Sequence, residues 1–187
     1  MKKILILVLA LTYSAMNAQS ETVNWVSLDE AIALQKKKPK KIIIDMYTVW
    51  CGPCKMLDRN TFGHPEVAEY INKHYYAVKF NAEGNDEITF KDSTFSNPNY
   101  DPAKAKKRNY PHQLTRYFGV KAYPTVVFLD EDLEFLAPIR GYKRPQQLEL
   151  YLKLFKNDDH KRLTTQEAFD EYYETFKPEF GTKKSKK

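Results

Sequence analysis

A chain of 187 residues with 42% hydrophobic, 14% aromatic and 29% charged residues is long enough for one well-buried core and some added segments. A mean hydropathy of −0.63 excludes a bundle of membrane-spanning helices. The formal charge of +6 owes much to Lys2 and Lys3 and to the tail lysines 183, 184, 186 and 187. No basic–aromatic recognition pattern accompanies that tail, so it reads as a solvated end and nucleic acid is not an expected partner.

In chain order, residues 1–20 come first. Lys2 and Lys3 precede an apolar run over 4–11, and a small, polar stretch with alanines at 15 and 18 follows. This is the layout of a secretory signal peptide, with an apolar run too short for a membrane span. Its removal leaves a charge of +4 (6 − 2). Cleavage is expected near Ala18 to Ser20: a cut after Ala18 places Met16 where a small residue is preferred, and a cut after Ser20 gives Ala18-x-Ser20. No cysteine follows the apolar core, which excludes a lipoprotein anchor here. The expected compartment is extracytoplasmic, most simply the periplasm.

A short strand over 22–26 is followed by a helix capped by Ser27, with Glu30 three residues on and Leu28, Ala31, Ile32 and Leu34 as its apolar face. The run 36–40 ends it. Residues 41–47 form a β-branched apolar run, as in a strand buried on both faces, interrupted by Asp45. The strand leads to Trp50-Cys51-Gly52-Pro53-Cys54, and a helix is expected to start within that motif. In an exported protein two cysteines usually form a staple. A loop of this size, however, gives only about 1.9 kcal/mol of loop-closure stabilisation, against about 3 for a 15-residue loop. The spacing suits a redox pair better, because the second thiol is always in reach to resolve a mixed disulfide on the first. Histidines 64, 74, 112 and 160 have no ligand-like spacing, so no metal is expected.

Phe62-Gly63-His64-Pro65 breaks the helix, and Val67, Tyr70, Ile71 and Tyr75 carry a helical stripe onward. A strand over 76–81 precedes a segment, about 83–111, full of turn signals. Loops of that length are uncommon in compact domains unless functional or mobile. Its Phe90, Phe95, Tyr100 and Tyr110 suggest a surface elaboration packed by its own aromatics, with a client-binding surface as the alternative. A short helix over 114–118, a strand over 125–129, a turn at Asp130 to Asp132 and a strand over 134–139 follow. A helix begins at Pro145 with Leu148, Leu152 and Phe155 as its apolar positions, and a last helix spans about 164–176. Strands alternating with helices and closing on a hairpin predict an α/β domain with a mixed sheet.

The stretch 43–55, with Asp45 and Trp50 around the cysteines, resembles the active-site strand and helix of the thioredoxin superfamily. Lys79-Phe80-Asn81 resembles its next strand, Gly119 to Thr125 its cis-proline loop, and Gly141 the glycine before its last helix. Thr61-Phe62 and Pro65-Glu66-Val67 are similar to the branch that includes the exported domain of the transmembrane thiol:disulfide interchange protein. Lys55-Met56-Leu57-Asp58 lacks the acidic-x-Pro pattern of the haem-maturation branch. The resemblance implies a thioredoxin fold over 21–156 with an insertion at about 83–111. Residues 157–187 would add a helical extension and a basic tail.

The expected activity is that of a thiol–disulfide oxidoreductase acting on protein disulfides, in the reducing direction. Oxidase or isomerase action, or a non-catalytic client-binding or chaperone module, are the alternatives. Cys51, at a helix N-terminus that stabilises a thiolate, is the expected nucleophile, and Cys54 the resolving thiol. A carboxylate buried at Asp45 would have a raised pKa and could exchange the Cys54 proton. Lys79 matches a family lysine near that aspartate. By resemblance, Pro124 is cis and Tyr123-Pro124-Thr125 faces an extended substrate, Trp50 shields the motif, and Gly52-Pro53 sets the helix start and favours a reducing pair. No cofactor beyond the Cys51–Cys54 pair is expected. The expected partners are protein thiols and disulfides and a membrane or exported electron donor.

Overall fold

The computed structural model describes residues 21–182; the expected signal peptide and the lysines of the basic tail lie outside them. Five strands form the main sheet in the order β1-β3-β2-β6-β7. β1 (Trp25–Val26), β2 (Lys41–Tyr47) and β3 (Tyr75–Asn81) run parallel, whereas β6 (Thr125–Leu129) is antiparallel to β2 and β7 (Phe135–Arg140) antiparallel to β6. The sheet is mixed, as the sequence pattern predicts. Only two residues of the expected first strand pair, and β3 begins at Tyr75.

Side chains alternate across a strand, so β2 feeds two cores. Ile42, Ile44 and Met46 pack with Leu28, Phe80, Leu114 and Phe118 on one side. Ile43 joins Leu57, Phe62, Val67, Phe128 and Leu148 on the other. The first side is covered by α1 (Leu28–Lys37), whose Ser27 hydroxyl accepts from the Glu30 N–H, and by α4 (Gln113–Tyr117). The second is covered by α2 (Gly52–Leu57), α3 (Pro65–His74) and α5 (Pro145–Lys156). The break expected at 62–65 is prepared earlier. α2 runs into a π-helical turn, Asp58–Phe62, before stopping at Gly63. Such turns favour functional sites.

The segment after β3 is more ordered than its composition suggests. It holds a hairpin of β4 (Ile88–Phe90) and β5 (Ser93–Phe95), joined by Lys91 and Asp92 at φ 48° and 60°. Two left-handed residues make the twist that a two-residue hairpin needs, although neither is glycine or asparagine. Its aromatics do not pack only among themselves. Phe90 is buried against Tyr117 and Phe118, and Phe95 packs on Tyr117, whereas Tyr110 is exposed. Both ends of the excursion return to one peptide. Ala82 O accepts from His112 N (2.9 Å) and from the Thr115 hydroxyl (2.8 Å), while Ala82 N donates to Tyr47 O.

Beyond α5, a helix α6 (Gln166–Thr175) packs Phe169 and Tyr172 against the second core. The chain then folds back. The buried Glu149 carboxylate accepts from Glu179 N and Phe180 N at 2.8 Å each and pairs with Lys153 at 2.7 Å. Among the described residues no helix is long and apolar enough to cross a membrane.

Candidate active site

Cys51 and Cys54 are joined as a disulfide at the start of α2. Pro53 occupies the first turn, where its missing N–H costs no hydrogen bond. Cys51 is the cap: its Sγ accepts from the Cys54 N–H at 3.2 Å. Both cysteines are buried, at 3% and 2% exposure, while Gly52 and Pro53 between them are exposed. A partner therefore meets the lip of the motif first.

Six residues before Cys51, on β2, lies Asp45. The alternation of β2 turns it away from Ile44 and Met46 and onto the face of Ile43, where it is fully buried. Neither carboxylate oxygen has a hydrogen-bond partner, and the Lys79 ammonium, directly alongside in the β2–β3 register, stands 3.6 Å off. Burial pushes the Asp45 carboxyl up to about 7, partly offset by the positive charge of Lys79. Lys79 makes its hydrogen bond to Asp58 in the π-helical turn and lies over the rings of Trp25 and Tyr47, at 5.1 and 5.3 Å. A surface depression lined by Thr22, Trp25, Asp58 and Lys79 leads down to this lysine. The site thus has a buried carboxyl of raised pKa in the core and the Lys79–Asp58 ion pair beside it.

Trp50 and Tyr123 meet edge to face at 6.1 Å. The Tyr123–Pro124 bond is cis, and Pro124 is buried. Pro124 O accepts from Gly141 N at 2.8 Å, with Gly141 at φ 78°, a conformation that suits glycine. The Thr125 hydroxyl is turned back onto Ala122 O. Trp50 is fixed by its indole N–H, which donates to the Glu83 carboxylate at 2.6 Å. The same carboxylate oxygen accepts from Asn109 N at 2.8 Å. The Arg108 guanidinium lies over the Trp50 ring at 4.5 Å.

All ten residues singled out in the sequence thus lie on the three segments that converge here: the end of β2 with α2, β3, and the loop into β6. Three participants escaped sequence reasoning. Asp58 follows Cys54 by four residues, on the same helical face, and that spacing could have found it. Glu83 and Arg108 lie in the insertion, where no periodicity marks them.

The model of the thioredoxin-like domain family matches residues 28–156. The chain belongs to that family. Its cysteine pair lies at the start of α2 and is closed as a disulfide. The thiol:disulfide interchange protein DsbD of Pectobacterium atrosepticum is 23% identical over 144 residues, covering 76% of this chain. The chain spans only 20% of that relative's length. Among solved structures, a candidate disulphide-isomerase from Bacteroides thetaiotaomicron is 26% identical with a TM-score of 0.50, over 73% of this chain and 95% of that one. A thioredoxin from Thermus thermophilus shares the fold, with a TM-score of 0.53 at 14% identity over 72% of this chain and 87% of that one.

Proposed function

We propose that this protein is exported, with residues 1–20 as its signal peptide, and that it reduces protein disulfides in the periplasm. The carrying observation is Asp45: a buried carboxyl, unbonded and titrating at about 7, on the strand that runs directly into the cysteine pair. A group poised near neutrality is what proton exchange with a thiol requires.

In the reduced form, the Cys51 thiolate attacks one sulfur of a client disulfide. A Cys51–client disulfide forms, and the client's other sulfur leaves as a thiolate that takes a proton. Asp45 then accepts the proton of Cys54, and the Cys54 thiolate attacks Cys51 Sγ. This closes the Cys51–Cys54 disulfide and expels the second client thiolate, which is protonated in turn. The client gains two electrons and two protons; the pair supplies both electrons and the proton of Cys54, and the second proton comes from solvent, which had taken it when Cys51 became a thiolate. The pair itself is the redox group, without a further cofactor. A membrane or exported dithiol donor would return the electrons, a role that the interchange relatives make reasonable. Lys79 tunes Asp45, and Trp50, Tyr123, Pro124 and Thr125 border the path of the client. Gly52-Pro53 favours the reducing direction. The isomerase reading keeps a place because of the Bacteroides relative.

Direction is tested by titrating the pair against a dithiol buffer. A reductase predicts a potential near the roughly −270 mV of thioredoxin, whereas roughly −180 mV or above would assign oxidase or isomerase action. Cys54→Ser should accumulate clients as mixed disulfides on Cys51. An absence of trapped clients in the periplasm would refute the reductase reading.

A further inference from the structure

A cleft of about 440 Å³ has Trp50 and Tyr123 as walls and Arg108, Asn109 and Lys121 at its edge. Trp50 adjoins Cys51 in the chain and Tyr123 precedes the cis Pro124, so the cleft is walled by the residues that flank the cysteine motif and the cis-proline loop. The charge of this cleft is not balanced. Its one carboxylate, Glu83, is buried and committed to Trp50 Nε1 and Asn109 N. Arg108 and Lys121 are exposed, and among the described residues neither makes an ion pair. Lys106 and Lys107 beside Arg108 are likewise exposed and unpaired, while Lys104 is engaged by Asp101 at 3.3 Å. The insertion therefore contributes a cationic lip, and its Arg108 guanidinium lies over the ring of the tryptophan that precedes Cys51, 4.5 Å from the ring centre. An exposed guanidinium in that place still has N–H groups to offer, in the fork that matches a carboxylate.

We infer that this lip selects clients: Arg108 and Lys121 favour polypeptide segments with an aspartate or glutamate flanking the cysteine to be attacked. The inference rests on the thiol–disulfide exchange reading and adds the substrate class. A lip of one sign beside an apolar wall concentrates oppositely charged segments and raises their encounter rate, an effect that salt removes.

The test uses two short cysteine peptides, each as its mixed disulfide with thionitrobenzoate, identical except for aspartate or lysine on both sides of the cysteine. Release of thionitrobenzoate by the reduced protein is followed, and each rate is divided by that with dithiothreitol to cancel intrinsic reactivity. The aspartate peptide should react about tenfold faster at low ionic strength, a gap narrowing in high salt. Arg108→Glu combined with Lys121→Glu should erase or invert the preference, while Arg108→Lys should keep most of it. A ratio near one in the wild type, or a ratio unmoved in the double variant, overturns the inference. Wild-type reaction with hydroxyethyl disulfide, small and uncharged, tests the exchange reading alone. Loss of that reaction would remove the premise, whereas its presence with equal peptide rates would refute only the selectivity.

Discussion

Two carboxylates are buried around the cysteine motif, one hydrogen-bonded to Trp50 and one on the strand that leads into it, and they are treated in opposite ways. Glu83 accepts two hydrogen bonds, from the Trp50 indole and from Asn109 N. Asp45 accepts none and has only a lysine at 3.6 Å. Donors satisfy the Glu83 carboxylate and are fixed by it, whereas burial without hydrogen-bond donors raises the pKa of Asp45. The first is architecture, joining the insertion to the active-site tryptophan. The second is, in the proposed mechanism, a store for a proton. The difference is one of hydrogen-bond donors, not of burial, since both carboxylates are buried.

The largest effect expected from breaking this contrast is at Asp45. Its folded-state pKa of about 7 stands above the ordinary 3.8. The unfolded chain therefore loses this proton first as pH rises, and stability falls from about pH 4 until the folded form also titrates near 7. At about 1.4 kcal/mol per pKa unit, the penalty at pH 8 is on the order of 4 kcal/mol. Asp45→Asn should thus be markedly more stable than wild type in urea at pH 8 and nearly equal at pH 4, while closing the mixed disulfide slowly at both. Equal urea midpoints across that range would mean that Asp45 is not held near neutrality.

Next in size is Glu83→Ala, which strands a buried backbone N–H and frees the indole. At roughly 1–3 kcal/mol for a buried group left unpaired, a loss of about 3 kcal/mol is expected, with higher and more mobile Trp50 fluorescence. Its stability profile should lack the pH-dependent gap of the Asp45 variant. If both variants shift stability in the same sense at pH 8, the contrast drawn above fails.

Smaller and opposite effects are expected around Lys79. Its charge lowers the Asp45 pKa, and that of Asp58 raises it. Lys79→Met should move the midpoint of the pH–rate profile upward, and Asp58→Asn downward, each by about one pH unit or less. Movement in the same direction would show that the two act by packing rather than by charge.

The surroundings of Asp45 were largely legible in the sequence. Asp45 interrupts an isoleucine run, and a strand buried on both faces leaves an acidic residue nowhere to go. The cysteine spacing and the broken helix were equally visible, because each is local, and the Tyr123-Pro124-Thr125 loop was legible through its resemblance to the thioredoxin superfamily. The surroundings of Glu83 were not. Glu83 and Arg108 are ordinary charged residues in a segment without periodicity, and only its closure brings them to Trp50. The hairpin was hidden for a related reason: Lys91 and Asp92 adopt left-handed backbone without the glycine or asparagine that announces such turns. Gln35 on α1 was also missed. It is buried because its amide donates to Asp130 O and Glu131 O in the β6–β7 turn, contacts far away in sequence.

The closure at Ala82 has a consequence for exchangeability. Because residue 82 receives both His112 N and the Thr115 hydroxyl, β3 and α4 are already stitched together at the neck of the excursion. The entropy of closing a loop grows only slowly with its length, so excursions of other lengths and compositions could be grafted between the same two anchors. The fold then behaves as a socket: what is plugged in above Ala82 can be changed as long as it keeps a carboxylate for the Trp50 indole and an apolar residue in the place of Phe90.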